Sequence, residues 1–423
     1  MAMDSITQPQ TPPAETRSGW SGTLGTVLRV IGALALILAA YPSWRHSERA
    51  YRSRVDPGEA ARAYPGYAPA LAARLKRSLE RDPRFSPTEE DVAEIRTALT
   101  ARPLSPALLS FVAIHAAARG DAATADRAVV AAGAMSRRDP LSQLLLVEKA
   151  NATSDVPSAI RHYHAALATY PALEPRLLPI LARALRFPEI RAAIAPYVAE
   201  GAAWTAPLIA IAPDLTSADN VAALVEPVAP ALALPVHAVG APKLLSALIA
   251  AGQRDRAITL ARRIWPDLRA SALTKLAVTP ATTDSRLGAL SWQFPASAHI
   301  AAQPDGSGGM TLEISPLASG DAASRRIAVR PGTRYALLQR VEAPPEAEAV
   351  RLRWSAACMT PGIQPAFWEA SFAAIGSSAS RGLSFAVQGG CSLLALSLSV
   401  DGGDGAASVS VGISDLQLRP LVQ

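Results

Sequence analysis

The feature that most constrains this chain is a plan used twice between Pro103 and Pro171: an apolar helical stretch, a tight polar turn, an alanine-rich amphipathic stretch, and a proline. The first copy reads Leu108-Leu109-x-Phe111-Val112-x-Ile114, turns at Arg119-Gly120-Asp121 and closes at Arg138-Asp139-Pro140. The second turns at Ser154-Asp155, continues through Ala159, Tyr163 and Ala166-Leu167, and closes at Pro171. Two antiparallel helices approach closely only where side chains are small. Ala125 and Ala159, five residues past Gly120 and Ser154, are therefore expected at the contacts, with Val129 and Tyr163 one turn further on filling the groove. Pro140 and Pro171 cannot continue a helix and are expected to stop the second helix of each pair. Gly120 and Pro140 stand further apart than Ser154 and Pro171, which predicts nearly an extra turn in the second helix of the first copy.

This spacing resembles the tetratricopeptide repeat, with a period of about 34 residues. The resemblance implies stacked helix hairpins and a protein partner on their concave face. A third, weaker hairpin follows at Lys243 to Pro266, where Gly252 and Ala257 again stand five apart. In between, Pro179, Pro188, Pro196, Pro207 and Pro213 kink or shorten the helices. Upstream, Asp56 to Thr100 reads as a helical cap for the array, with a helix start at Ser86-Pro87-Thr88-Glu89. The helical domain is assigned to residues 56–275.

A chain of 423 residues exceeds what one core usually organises. Its hydrophobic fraction of 50% is mostly alanine and its aromatic fraction only 5%, which favours close-packed helices over an aromatic core. The net charge of +6 comes from arginines spread along helices, without a basic block or interleaved aromatics, so no nucleic-acid partner is expected.

Residues 1–22 read as a disordered cytoplasmic tail and residues 23–43 as a transmembrane anchor. The apolar run Thr23 to Tyr41 is interrupted by Arg29, and Tyr41 and Trp44 are placed as an interfacial belt. The alternative is a signal peptide with its apolar region at Val30 to Ala40. Arg45, Arg49, Arg52 and Arg54 follow this run, and the positive-inside bias alone would keep the C-terminal part in the cytoplasm. The two cysteines, Cys358 and Cys391, argue the other way. Both lie in β-type sequence, as an inter-strand disulfide in an oxidising compartment requires, although two buried free thiols would also fit. The expectation is a single-pass bacterial inner-membrane protein with periplasmic C-terminal domains.

Beyond Pro280 the periodicity falls to two: Met310-x-Leu312-x-Ile314, Val350-x-Leu352-x-Trp354, Leu383-x-Phe385-x-Val387, Leu394-x-Leu396-x-Leu398-x-Val400 and Val409-x-Val411-x-Ile413, with turns at Asp305-Gly306, Pro331-Gly332 and Asp401-Gly402. Residues 285–423 are read as an antiparallel β-sandwich, so the fold class is α plus β: anchor, α-solenoid, jelly roll. Trp292-x-Phe294, Pro331-Gly332-x-x-Tyr335, Trp354-x-x-x-Cys358, Gly390-Cys391-x-x-Leu394-x-Leu396 and Gly412-Ile413-x-Asp415-Leu416 carry a resemblance to jelly-roll carbohydrate-binding modules. The whole arrangement resembles bacterial envelope proteins associated with exopolysaccharide production, and that resemblance implies a polysaccharide partner.

Few residues suggest chemistry. His162 and His164 point to opposite sides of a helix and cannot share a metal. The chain lacks Cys-x-x-Cys, His-Glu-x-x-His and Gly-x-Ser-x-Gly, and the glycines at 306–309 and 402–405 read as hairpin turns. Two carboxylates at Asp401 and Asp404 do not make a calcium site. No acidic pair suited to glycoside hydrolysis stands out. No metal, cofactor or catalytic activity is expected. Sugars stack on exposed rings, so Phe367 and Trp368, in a loop marked by Pro361-Gly362 and Pro365, are the glycan-contacting candidates together with Trp292. The reading is a non-catalytic envelope protein that binds a protein partner and a polysaccharide. Its rivals are a carbohydrate-active enzyme and a structural intracellular membrane adaptor.

Overall fold

The computed structural model describes residues 22–295, 297–360, 366–374, 379–404 and 407–421. A helical N-terminal region is followed by antiparallel β-sheets. The chain divides into two compact units, Met1–Ser142 and Gln143–Gln423.

In the first unit, helix α1 (Gly22–Val55) precedes α2 (Pro57–Ala63), α3 (Ala68–Arg81), α4 (Glu89–Ala101), α5 (Pro106–Ala118) and α6 (Ala122–Met135). Thr88 starts α4 with a capping box: its side chain accepts from the Asp91 N–H, and the Asp91 carboxylate accepts from the Thr88 N–H. Leu71, Leu75, Ile95, Leu108 and Phe111 form the core. Gly120 turns the chain between α5 and α6 at φ 76°, a left-handed conformation that glycine adopts without a Cβ clash.

Among the described residues no helix is long and apolar enough to cross a membrane, which overturns the expected anchor at 23–43 and with it the single-pass inner-membrane placement. Arg29 interrupts the apolar stretch, and Arg45, His46, Glu48 and Arg49 continue the same helix beyond it.

Helix α7 (Pro140–Ala152) carries the chain onward to α8 (Val156–Thr169), α9 (Glu174–Ala184), α10 (Pro188–Ala199), α11 (Thr205–Leu215) and α12 (Ala218–Val225). A 3-10 stretch then leads to α13 (Gly240–Ala250), α14 (Arg254–Ile264) and the short α15 (Ser271–Thr274). Trp204, Leu208, Leu244, Leu248 and Leu260 are fully buried among them. Two expectations about the prolines change. Pro140 and Pro171 do not stop a helix; each opens the next element, where its missing N–H costs nothing. Helices α6 and α8 are both 14 residues long, so the added length of the first copy lies in the loop before Pro140 and not in an extra turn.

The sandwich comprises β1 (Ile300–Pro304), β2 (Met310–Ile314), β3 (Ser319–Ala328), β4 (Arg334–Glu342), β5 (Arg351–Cys358), β6 (Ala366–Ala373), β7 (Ala379–Ala386), β8 (Leu393–Asp401) and β9 (Val409–Pro420). One sheet has the order β1-β2-β9-β4-β7 and the other β3-β8-β5-β6. Alternation supplies the core: Leu312, Val411, Ile413, Leu337 and Val341 from the first sheet meet Leu352, Trp354, Leu396 and Leu398 from the second. Trp292 precedes the strands proper, next to the single bridge Gln293–Ser324.

Helices α8–α15 and the sandwich belong to one compact unit. Arg325 of β3, 1% exposed, ties them: its Nε donates to the Leu290 carbonyl at 3.0 Å, and its two terminal nitrogens donate to the carbonyls of Lys275 and Ala272.

Candidate functional site

The outer face of the five-stranded sheet follows from its register. Gln303 pairs with Thr311, Thr311 with Gly412 and Gly412 with Glu342, which makes one cross-strand row. Leu338 pairs with Gln417 and Gly382, and Ala336 with Arg419 and Ser384, which makes two more. Arg340 pairs with Ser414 between them. On this face the central strand β9 carries Gly412, Ser414, Gln417 and Arg419, its neighbour β4 carries Ala336, Leu338, Arg340 and Glu342, and the edge strand β7 carries Gly382 and Ser384. On the other side of β9 stand Thr311 and Glu313 of β2 and Gln303 of β1. Small residues thus alternate with long polar ones, and the face presents hydroxyl, amide, carboxylate and guanidinium groups. A bulge with Asp415 at φ 54° brings its carboxylate to 3.3 Å from Arg340.

The expected glycan contacts are placed differently. Trp292 is 3% exposed and donates from Nε1 to the Leu276 carbonyl at 2.9 Å, so it is core. Phe367 and Trp368 lie in strand β6 and not in a loop; residues 361–365 are outside the described residues. Trp368 pairs with inward-facing Ala356, and its ring lies 4.7 Å from that of Phe385. Its alternation with Ala370 and Phe372 was the readable signal. The neighbouring prolines and glycine led the sequence reading to a loop instead.

The repeat residues sit at hairpins. Asp121 caps α6 by accepting from the Thr124 N–H at 3.0 Å, and the Thr124 hydroxyl, followed by this backbone bond, holds its carboxyl below the usual range. Ala125 is half-buried, Ala159 is 4% exposed, Ala257 is fully buried, and Tyr163 packs at the edge of the helical core. Gly252 turns at φ 80° between α13 and α14. The histidines serve packing: His162 Nδ1 donates to Gln143 Oε1 at 2.8 Å, and His164 accepts from Trp204 Nε1 at 3.0 Å while stacking on Tyr197.

Cys358 and Cys391 are joined as a disulfide linking the end of β5 to the start of β8, with Cα atoms 5.9 Å apart. A cleft of about 590 Å³ is lined by Asp267, Lys275, Thr279, Asp284 and Arg286. Arg286 is held by both aspartates, whose hydrogen bonds raise its pKa. Burial lowers that of Arg325 to about 10. Among the described residues no three His, Cys, Asp or Glu side chains gather to hold a metal ion.

No family model and no curated protein matches the chain. Among solved structures, it is similar to TmCBM61 in complex with β-1,4-galactotriose, at 11% identity and TM-score 0.23, over 31% of this chain and 88% of that one. It is also similar to the N-terminal cellulose-binding domain from Cellulomonas fimi β-1,4-glucanase C, at 13% identity and TM-score 0.22, over 31% of this chain and 90% of that one. A third is a family 16 carbohydrate-binding module, at 11% identity and TM-score 0.23, over 30% and 89%. The C-terminal antiparallel β-sandwich thus resembles carbohydrate-binding modules, and the likeness is one of fold.

Proposed function

We propose that the chain is a non-catalytic binding protein whose β-sandwich takes a polysaccharide along the outer face of the five-stranded sheet. The observation that carries this reading is a sheet face on which the small residues Gly412, Ser414, Ala336, Gly382 and Ser384 stand beside Gln303, Glu342, Gln417 and Arg419. Amide, carboxylate and guanidinium groups on such a face can each bond two vicinal hydroxyls, and the small residues between them let a sugar chain approach the backbone. The described residues place no exposed ring on this face. Binding therefore proceeds through hydrogen bonds rather than stacking, and its affinity is modest. The helical region acts as a scaffold, and exposed Leu234, Val236 and Val239 favour a protein partner there.

The test is affinity electrophoresis of the full chain through gels containing neutral polysaccharides, with a reducing-end assay on the same polymers. Retardation by at least one polymer, lost in the double variant Gln417→Ala/Arg419→Ala without release of reducing ends, is the expected result. Retardation unchanged in that variant would remove the sheet face from the proposal, and polymer cleavage would replace binding with catalysis.

A further inference from the structure

In the first unit, a cleft of about 440 Å³ lies among α1, the turn after α2, and the end of α4. Arg45, His46, Arg49 and Arg102 line it together with Tyr64 and Tyr67, and no carboxylate is among its lining residues. The tyrosines orient the cations: the Arg49 guanidinium carbon sits 5.2 Å from the Tyr64 ring centre, and that of Arg102 sits 6.0 Å from the Tyr67 ring centre. Arg45 lies 5.5 Å from the Tyr41 ring. The described residues give Arg45, Arg49 and Arg102 no ion pair, and Arg49 Nε is buried without a hydrogen-bond partner. Nearby arginines behave differently: Arg52 pairs with Glu48, and Arg74 with Asp91 and Glu94.

Two helices end at this cleft, α2 at Ala63 and α4 at Ala101. Their C-terminal half-charges offset roughly one of the positive charges. Three guanidinium groups exceed that by about two, and like charges held together this way favour an anion between them.

We propose that this cleft binds a phosphoryl group, as a diphosphate or a phosphate ester. Each guanidinium is a planar fork that pairs with two oxygens, and three forks around one cleft call for more acceptors than the two oxygens of a carboxylate. A diphosphate supplies them, and the volume leaves room for an attached organic group. The orphaned Nε of Arg49 is the donor such an oxygen would satisfy. This inference concerns the first unit and does not depend on sugar binding by the sandwich.

The experiment is isothermal titration of the full chain with inorganic pyrophosphate, inorganic phosphate, and acetate at matched ionic strength. Pyrophosphate is expected to bind more tightly than phosphate, and acetate not to bind. Arg45→Ala and Arg102→Ala should each weaken pyrophosphate by about tenfold or more, with unchanged circular dichroism spectra. Arg45 is exposed, so its variant tests the site even if Arg102, at the end of α4, proves necessary for folding. Absence of pyrophosphate binding, equal binding of acetate, or an affinity unchanged in Arg45→Ala would overturn the proposal.

Discussion

Arg325 Nε and the main-chain carbonyl of Leu290 are 3.0 Å apart in the interior, so a charged side chain from strand β3 binds the segment that leads out of the helices. The same guanidinium also serves the carbonyls of Ala272 and Lys275 at the end of α15. One planar group satisfies three acceptors that would otherwise lack donors. Arg325→Met removes them all while keeping much of the volume. We expect a loss of about 3–5 kcal/mol, read as a lower urea midpoint of the full chain. A midpoint within error of the parent would mean that the helices and sandwich hold together without this clasp.

His237 is fully buried, and neither ring nitrogen has a partner among the described residues. Burial lowers its pKa, so the folded state keeps the ring neutral. Its unfolded value is about 6.5, and the folded chain therefore loses stability as pH falls below about 6.5 toward the depressed folded value. The slope from one such proton is at most about 1.4 kcal/mol per pH unit. His162 and His164 are shifted in the same direction by burial and add to the effect. His237→Leu should raise the melting temperature and flatten its decline between pH 7.5 and 5. An identical decline in the variant would show that the burial of His237 does not set the acid sensitivity.

Ala159, buried on α8, has no room for a ring. Ala159→Trp should cost about 1–3 kcal/mol through overpacking. Thermal melts followed at 222 nm report it, and a preserved melting temperature would place Ala159 away from any tight contact.

The bond between Cys358 and Cys391 closes a loop across a sequence separation of 33. Chain-entropy arguments assign such a loop about 3–4 kcal/mol. Dithiothreitol should lower the stability of the folded chain by that order, and a non-reduced digest should yield the linked peptide pair by mass spectrometry. Two freely alkylated thiols in native protein would exclude the bond.

Much of the sandwich is legible without coordinates, because strict alternation at Met310–Ile314, Val350–Trp354 and Leu394–Val400 dictates one buried face. Strand β1 is not legible: Ile300-Ala301-Ala302-Gln303-Pro304 has too few large residues to show a period. Strand β6 is hidden by its surroundings: Trp368, Ala370 and Phe372 alternate, but Pro361, Gly362 and Pro365 just before them mark a loop. Its register shift between Ala356 and Ala357 is a property of pairing, not of either strand alone. The pairing of Trp368 with Ala356, in the same register as Phe372 with Leu352, sets Trp368 on the inward face.

The helices divide along the same line. Local chemistry determined the hairpins: Gly120 and Gly252 turn because their backbone needs a positive φ, and Asp121 and Asp155 cap because a carboxylate satisfies the first free N–H groups. Those forces act within a few residues of chain and are written in order along it. The polar face of the five-stranded sheet, the arginine cleft around Tyr64 and the clasp of Arg325 join residues from distant parts of the chain. Only the packed structure decides them, because each depends on where burial and hydrogen-bond satisfaction bring remote segments together.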